Sequence, residues 1–442
     1  MLDIAIYQQR RATLIGQMRR GIAVIPTAPE LVRNGGTHYP YRYDSYFHYL
    51  SGFDEPEAVL VLIADQSDPS SNPPQSFLFC RDKNPEREVW DGFRHGPSAA
   101  KEQFGFDAAW PIAQLDEKLV ELMGNQPALF HPVGHDPAWD ARLLGLRTRV
   151  QEMVRSGISA PNEIHDVRTL LDEMRLIKDA HEIATMRRAA EISAEAHIRT
   201  MRAAHPGMHE YEIEAELLHE FRRRGAQSPS YPSIVAGGGN ACVLHYVGND
   251  MQLKDGDLLL IDAACEVDGY AADITRTFPV NGKFNAAQRD VYEMVLAAQV
   301  AAIAACRPGK RWNDPHDAAL RVIAQGLIDL KLCAGSVDAV LESEVYKRYY
   351  MHRTGHWLGM DVHDVGNYKV DSEWRELQPG MAFTVEPGCY IRAADDVPQA
   401  LWNIGVRIED NVVITEQGCE VLTEKAPKSV AAIEELMGAK RG

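Results

Sequence analysis

The sequence lacks any apolar run that approaches the roughly 18 residues a membrane-spanning helix needs. It also contains few cysteines, seven in all, and their scattered positions and odd number argue against a disulfide framework. The first residues, MLDIAIYQQRR, do not have the basic start and apolar middle of an export signal. We therefore expect a protein of the cytoplasm, with reduced thiols and no membrane partner.

The chain also has fewer positive than negative side chains. Its 46 lysines and arginines and 63 aspartates and glutamates give a net charge of −17. A field of that sign repels polyanions, so we expect no nucleic-acid partner. The hydrophobic and charged fractions, 45% and 25%, are ordinary for a globular protein. At 442 residues the chain exceeds the usual size of a single core, so two domains are expected.

Several common catalytic motifs are missing from the sequence. The G-x-S-x-G motif of serine hydrolases does not occur, and His181, His209 and His219 precede glutamate without the second histidine of a zincin. The glycine-rich run 237–240 lacks the Lys-Ser or Lys-Thr pair of a phosphate loop. The sequence therefore offers no support for these three kinds of site.

The N-terminal part has the pattern of an α/β unit. The apolar segments 59–63 and 77–80 predict buried strands, and the Pro/Ser/Asp-rich segment 65–76 between them predicts a loop. An amphipathic segment over about 170–203 predicts a long helix that connects two domains.

We place the domain boundary near residue 174, which gives domains over 1–174 and 175–442. The fold class predicted for the whole chain is α/β (α+β). Past the boundary the chain twice shows a long helix, a Pro-Gly pair, a second helix and then strands, with the pairs at 206–207 and 308–309.

The repeated pattern also includes two residues with carboxylate side chains. In LKDGDLLLID an apolar strand ends at Asp262, and in LQPGMAFTVE a similar strand ends at Glu386. Each half of the C-terminal domain would therefore deliver one carboxylate from the end of a strand. Matches of this length also arise by chance, so common ancestry of the halves stays open.

Asp262 and Asp273 flank the sequence AACEVDGYAA, in which Asp-Gly is a hairpin-turn signal. Pairing about their midpoint predicts that the two aspartates lie directly opposite, with Cβ atoms about 5 Å apart. Surface aspartates of a hairpin are the ordinary alternative. Asp262, however, ends the apolar run LLLI, where an unpaired carboxylate is costly. Two carboxylates this close need a cation or a raised pKa.

Three further segments supply candidate partners. His356 lies in GHWLG, Glu386 in FTVEPG and Glu409 in GVRIED, where Arg407 shares the strand face of Glu409 by the period of two. Four carboxylates and one imidazole, without a thiolate, suit a pair of Mn²⁺, Fe²⁺, Co²⁺ or Zn²⁺ ions.

In their order and local contexts these residues resemble the metallopeptidases of the pita-bread fold, which include methionine aminopeptidase, prolidase and aminopeptidase P, and also the non-metal enzyme creatinase. The likeness is greatest to the bacterial aminopeptidase P group, through segments 38–62 and 230–246 and the sequences GYAADITRTFPVNGKF and HWLGMDVHDVG. The resemblance implies a creatinase-like N-terminal domain and a pita-bread catalytic domain with an internal pseudo-twofold repeat. Arg353 departs from the small residues of the group and puts fine substrate preference in question.

The resemblance also implies a metal site and a reaction. The five ligands would be Asp262, Asp273, His356, Glu386 and Glu409. They would hold two divalent ions, with Mn²⁺ as the first choice, and a hydroxide bridging the ions would attack the first carbonyl of a peptide whose second residue is proline. Glu386 would pass the proton of the attacking water to the proline nitrogen.

Other residues take roles from the resemblance. His363 would steady the oxyanion, His245 would face the scissile bond and His352 would line the proline side, although isolated histidines are usually structural. Arg407 would orient ligand carboxylates, or would serve only as a salt-bridge partner. Trp90 matches a tryptophan that reaches a neighbouring site in the family's tetramers, or it is a core aromatic. A dimer of dimers is therefore expected.

Two alternatives remain. Within the fold, prolidase would act on Xaa-Pro dipeptides only, and creatinase would not require the metal ligands. A binding module of the same fold, which has lost its ligands, is the alternative from another class. The presence of all five ligand types and the acidic charge weigh against it.

Overall fold

The computed structural model describes residues 4–65 and 75–439 of the chain. Most of the predicted loop over 65–76 therefore lies outside the described residues. The chain divides into two compact units, Met1–Met174 and Arg175–Gly442.

The N-terminal unit is built on a mixed sheet. Its strands lie in the spatial order Ala108–Pro111, Gln75–Cys80, Val59–Asp65, Arg20–Pro26, Ala128–His131 and Glu163–Asp166. The second, third and fourth of these pair antiparallel, and the outer pairings are parallel. The two apolar segments predicted as buried strands are confirmed, because Val59, Val61, Phe77 and Phe79 all lie in the core beneath the helices.

Helices surround this sheet. They span Ile4–Met18, Ser45–Ser51, Pro85–Asp91, Gly96–Phe104, Leu115–Met123 and Pro137–Glu152, and a short hairpin joins Val32–Asn34 to Thr37–His38. Leu115, Leu119 and Met123 recur at helical spacing and bury one face of their helix against the strands. The core of this unit is therefore a sheet with helix faces packed on it.

The single long helix predicted over 170–203 is wrong, because two helices occupy the segment. They span Arg168–Leu176 and Ala180–Ala203. Asp179 caps the second helix by accepting from the Glu182 N–H at 2.9 Å, and the Glu182 side chain accepts from the Asp179 N–H in return. This capping box starts a new helix, while Ile177 leaves the helical path and bridges to Met381.

The C-terminal unit contains two pairs of packed helices. Ala180–Ala203 packs on Glu210–Arg223, and Ala286–Ala305 packs on Asp314–Asp329. Strands follow each pair along the chain, so the element order of the predicted repeat is present twice. Two shorter helices span Val337–Glu342 and Val430–Gly438.

The strands of this unit form several small antiparallel sheets. The first repeat contributes Ile234–Gly237, Leu258–Asp262 and Thr275–Pro279, next to Ser228–Pro229, Cys265–Val267 and Tyr270–Ala271. The second contributes Ala382–Val385, Asp410–Ile414 and Cys419–Val421, next to Gly388–Ile391 and Ile404–Arg407 and the short hairpin Lys369–Val370 and Glu373–Trp374. Within residues 4–65 and 75–439, no helix is long and apolar enough to cross a membrane.

Candidate metal centre

A long antiparallel hairpin carries Asp262 and Asp273. The strand Leu258–Asp262 pairs with Thr275–Pro279, and in this register Asp262 lies opposite Thr275. The prediction that the two aspartates lie directly opposite is therefore wrong. They are diagonal neighbours across the hairpin, a relation that still leaves side chains within reach of a common partner.

The turn explains the difference. Asp268 and Gly269 both have positive φ, 48° and 78°, as a two-residue type I′ turn requires. Val267 and Tyr270 close the turn as a directly paired position. The hairpin is thus centred one residue beyond the midpoint of the two aspartates, and the same register runs from the turn to the outer strands.

Tyr231 joins the two aspartates. Its hydroxyl oxygen lies 2.6 Å from Asp262 Oδ1 and 2.6 Å from Asp273 Oδ1. A hydroxyl carries one proton and donates it to one carboxylate at a time, so the second short contact calls for another proton or a cation. Burial, followed by the two aspartates, raises the pKa of Tyr231 well above its ordinary value, which keeps the donor protonated. The sequence analysis missed this residue, although it lies within the segment 230–246 that carried the resemblance.

The second repeat brings two glutamates to the same place. Glu386 follows the strand Ala382–Val385, and Glu409 precedes its partner strand Asp410–Ile414. The Thr275 hydroxyl donates to Glu409 Oε2 at 2.7 Å, and the Glu409 N–H donates to the Thr275 carbonyl at 3.0 Å. These two bonds fix Glu409 against the hairpin of the first repeat.

The backbone of His356 lies close to Thr384, and this contact places the His356 side chain beside the carboxylates. Its N–H donates to Thr384 Oγ1 at 3.1 Å, and the Thr384 N–H donates to the His356 carbonyl at 3.0 Å. Gly355 makes this approach possible, since a Cβ there would lie 2.0 Å from the Thr384 carbonyl oxygen. His356 Nε2 then lies 3.4 Å from Asp273 Oδ2 and 3.6 Å from Glu386 Oε1.

We call these five side chains the carboxylate cluster: Asp262, Asp273, His356, Glu386 and Glu409. Ligand atoms of Asp273, His356 and Glu409 all lie within 4.8 Å of one another. Asp273 and Glu409 are buried, with 5% and 2% of their surface exposed. The cluster therefore offers carboxylate oxygens and one imidazole nitrogen, and no sulfur, to a shared site.

Burial and mutual repulsion shift the pKa values of several side chains in the carboxylate cluster. Burial, followed by the neighbouring carboxylates, raises the pKa of Glu409 well above its usual range. Burial raises the pKa of Glu386 to about 7 and also raises that of Asp262. Burial alone would lower the pKa of His356, yet the hydrogen bond to Asp273 and the charge of Glu386 raise it to about 9. Anionic groups packed so closely favour binding of cations.

Arg407 is the buried cation beside the cluster. Its Nη2 lies 2.6 Å from Asp262 Oδ2, its Nε donates to Thr275 Oγ1 at 3.1 Å, and its Nη1 donates to the Tyr390 hydroxyl at 3.0 Å. The carboxylate of Asp262 is thereby held between Arg407 and Tyr231. Tyr390, which the sequence analysis also missed, lies on the buried strand Gly388–Ile391.

His352 continues the hydrogen-bond chain that begins at Arg407. Its Nδ1 lies 2.8 Å from the Arg353 carbonyl, which can only accept, so Nδ1 carries the proton. Nε2 then accepts from the Tyr390 hydroxyl at 2.8 Å. Burial, aided by the charge of Arg407, lowers the pKa of His352 to about 3 and keeps the ring neutral. Its Nδ1 also lies 3.8 Å from Glu386 Oε2.

A cavity of about 1240 Å³ opens over the carboxylate cluster. His245 and His363 line it and are both exposed, and the His363 ring lies 4.4 Å from the His356 ring. Further lining residues are Tyr231, Ile234, Leu244, Trp312, His352, Arg353, Tyr368, Lys369, Trp374 and Arg407. Apart from Trp90, the predicted site residues therefore meet around one space.

Trp90 belongs to the N-terminal unit. It lies on the helix Pro85–Asp91 and is 83% exposed, so it is not a core aromatic of its own unit. Val89 and Phe93 beside it are also exposed. Together they form an apolar surface patch of the kind that marks contacts with other molecules.

Comparison with family models gives two matches. Residues 184–416 match the model described as metallopeptidase family M24, and residues 7–130 match the aminopeptidase P N-terminal domain.

Individual relatives are similar over nearly the full length. An Xaa-Pro aminopeptidase of Escherichia coli strain K12 is 44% identical and covers 98% of each chain. One of Haemophilus influenzae is 45% identical over 98% of this chain and 96% of the relative. Among solved structures, the aminopeptidase PepP of Pseudomonas aeruginosa has 50% identity and a TM-score of 0.97, with 100% of this chain and 99% of that chain covered.

Proposed function

Given that the chain belongs to metallopeptidase family M24 and is an Xaa-Pro aminopeptidase, we propose that its carboxylate cluster holds two divalent metal ions and forms the catalytic centre. The observation that carries this proposal is the convergence of four buried or half-buried carboxylates and one imidazole on one cavity, with the pKa of three of the carboxylates raised. Bound divalent ions supply a water that ionises near neutral pH and polarise the scissile carbonyl.

We propose Mn²⁺ as the ion. Oxygen-rich ligand sets with one imidazole suit hard and borderline divalent ions, whereas soft-metal sites use thiolates. A solved structure of the E. coli aminopeptidase P carries substituted zinc, so the donor set alone does not select one metal. Metal content and activity measured with each ion would make that selection.

Glu386 has the environment of a proton carrier. Burial raises its pKa to about 7 in the metal-free chain, and a carboxylate within reach of the attacking water can take up a proton and pass it on. Thr384 Oγ1, 3.3 Å away, helps to orient the carboxylate. We assign to Glu386 the transfer of a proton from the attacking water to the proline nitrogen that leaves.

The histidines around the cavity serve substrate binding. His352 is neutral and is oriented by Tyr390, and its ring lies 5.0 Å from the Tyr350 ring at a near-perpendicular angle. The His352 ring lines the cavity, supported from behind by the buried Tyr350, and offers its face to the proline ring. His363 and His245 line the same cavity, where an imidazole N–H can stabilise the oxyanion and the peptide carbonyl. Arg407 acts as a positioning residue through its contact with Asp262.

We further propose a cytoplasmic enzyme that assembles as a dimer of dimers. Its seven cysteines are all free, as suits a reducing compartment. The exposed patch of Val89, Trp90 and Phe93 offers an apolar contact surface on the N-terminal unit. The domain limits proposed are 1–174 and 175–442, which separate this patch from the catalytic unit.

One experiment tests the activity and separates it from that of a prolidase. A panel of Xaa-Pro peptides of different lengths is assayed with chelated protein, before and after Mn²⁺ is added. We expect cleavage at the Xaa-Pro bond only with metal, and higher kcat/KM for peptides longer than two residues. Exclusive cleavage of Xaa-Pro dipeptides would identify the activity as that of a prolidase instead.

A further inference from the structure

Two cations meet at one aromatic ring in the wall of the catalytic cavity. The Arg353 guanidinium carbon lies 5.1 Å from the centre of the Trp374 ring, and Lys369 Nζ lies 4.5 Å from the same centre. All three residues line the cavity that contains the carboxylate cluster. We call them the cationic wall.

The cationic wall has no anionic partner of its own. Arg353 Nη2 donates to Asn313 Oδ1, a neutral acceptor. Across the described ranges 4–65 and 75–439, neither Arg353 nor Lys369 has a carboxylate oxygen within 4 Å of a side-chain nitrogen. Some other exposed arginines of the same unit do pair with carboxylates, such as Arg311 with Glu373 at 3.1 Å.

In a chain with a net charge of −17, Arg353 and Lys369 share one aromatic ring. Two like charges at one ring repel each other, and an anion bound between or beside them relieves that repulsion. Their stacking on Trp374 restricts both side chains before any ligand arrives, which lowers the ordering cost of binding. The cavity wall is therefore suited to binding a negatively charged group.

We propose that the cationic wall binds a carboxylate of the peptide substrate that lies beyond the proline residue. This proposal rests on the Xaa-Pro aminopeptidase activity. The carboxylate is either the free C-terminus of a tripeptide or an acidic side chain in a longer peptide. The site would therefore favour short peptides and peptides with an acidic third residue.

The position beyond proline follows from the direction in which Arg353 extends. Its backbone adjoins His352, on the side of the cavity that would take the proline ring, but its guanidinium turns to Asn313 and Trp374. One further residue of extended peptide adds about 3.3–3.6 Å of reach. A carboxylate on the third residue therefore reaches farther from the His352 side toward Asn313 and Trp374 than the proline carboxylate of a dipeptide does.

The test compares matched substrates that differ only in charge. The first pair is an Xaa-Pro-Leu tripeptide with a free C-terminal carboxylate and the same tripeptide with a C-terminal amide. The second pair is an amidated pentapeptide with Asp or with Asn after proline. We expect kcat/KM to be about fivefold higher for the charged member of each pair. The gain should lie in KM, because the contact is the same in ground and transition states.

Four variants of the Mn²⁺-loaded enzyme test whether Arg353 and Lys369 cause the preference. Arg353→Gln and Lys369→Gln should each reduce the preference, measured as the ratio of kcat/KM within each pair, and the double variant should abolish it. Arg202→Gln removes an exposed charge on the helix Ala180–Ala203, outside the cavity lining, and should leave the preference intact. High salt should shrink the preference in the wild type.

Several outcomes would overturn the proposal. Equal kcat/KM within both pairs, or a preference that survives the double variant, removes the cationic wall from substrate binding. A third pair, an Xaa-Pro dipeptide and its amide, locates the contact: a charge preference confined to this pair would show that the wall reaches the proline carboxylate instead. Failure of the wild type to cleave either member is a separate result, because it refutes the aminopeptidase activity itself.

Discussion

Replacing Arg407 with methionine removes the buried cation from the carboxylate cluster while keeping much of its side-chain volume. Arg407 is 4% exposed, and its guanidinium bonds Asp262, Tyr390 and Thr275 at 2.6, 3.0 and 3.1 Å. Removing one partner of a buried ion pair costs about 3–5 kcal/mol, since the other charge remains buried and unpaired. Losing a neighbour that orients a metal ligand lowers metal affinity about 10- to 100-fold.

We therefore expect Arg407→Met to lose about 3–5 kcal/mol of unfolding free energy in the metal-free protein. Urea unfolding measures this loss, and Mn²⁺ titration of peptidase activity measures the metal affinity. Arg187→Met is the matched control, because Arg187 also pairs with a carboxylate, that of Glu420 through bonds of 3.0 and 2.9 Å, but its side chain is 40% exposed. An exposed pair contributes about 0–1 kcal/mol.

The comparison tests whether the loss of unfolding free energy in Arg407→Met comes from the burial of the Arg407–Asp262 ion pair. Equal losses in the two variants, or an Arg407→Met enzyme with wild-type stability and wild-type Mn²⁺ dependence, would refute the reasoning.

Four further predictions follow from the same structure. Asp273→Ala and Glu409→Ala should each lose bound metal and most activity, as measured by metal analysis and peptide turnover; near-wild-type turnover by both would remove them from the ligand set. Peptides of three or more residues should be cleaved at least about tenfold more efficiently than Xaa-Pro dipeptides, a difference of ~1.4 kcal/mol, and peptides with alanine second should be poorer still; a kcat/KM that favours dipeptides would contradict this. Wild-type protein at micromolar concentration should scatter light as an oligomer, and Trp90→Asp should weaken it; a fully active monomer would exclude the assembly. Burial lowers the pKa of His197 to about 4 from an ordinary 6.5, so stability supplied by its neutral ring is complete above pH 6.5. About 3 kcal/mol of it should be lost as the pH falls to about 4, and urea unfolding should show a weaker pH dependence for His197→Gln.

Short motifs, and the family resemblance that those motifs carry, predicted which residues line the cavity, with the exception of Trp90. Apolar strands ending in carboxylates, such as Asp262 and Glu386, indicate buried acids that need partners. The Asp268-Gly269 pair indicates a hairpin. These signals are local, so they can be read without knowing the fold.

The tertiary structure decided how those residues meet. With the turn at Asp268 and Gly269, Asp262 pairs with Thr275 and not, as predicted, with Asp273. The two registers differ by two residues and keep the same side chains facing inward, so the residue pattern could not distinguish them. Tyr231, Tyr390 and the cationic wall could not be recognised from sequence, since a tyrosine, an arginine or a tryptophan has no distinctive local pattern. Their importance comes from contacts between segments far apart in the chain, and only folding creates those contacts.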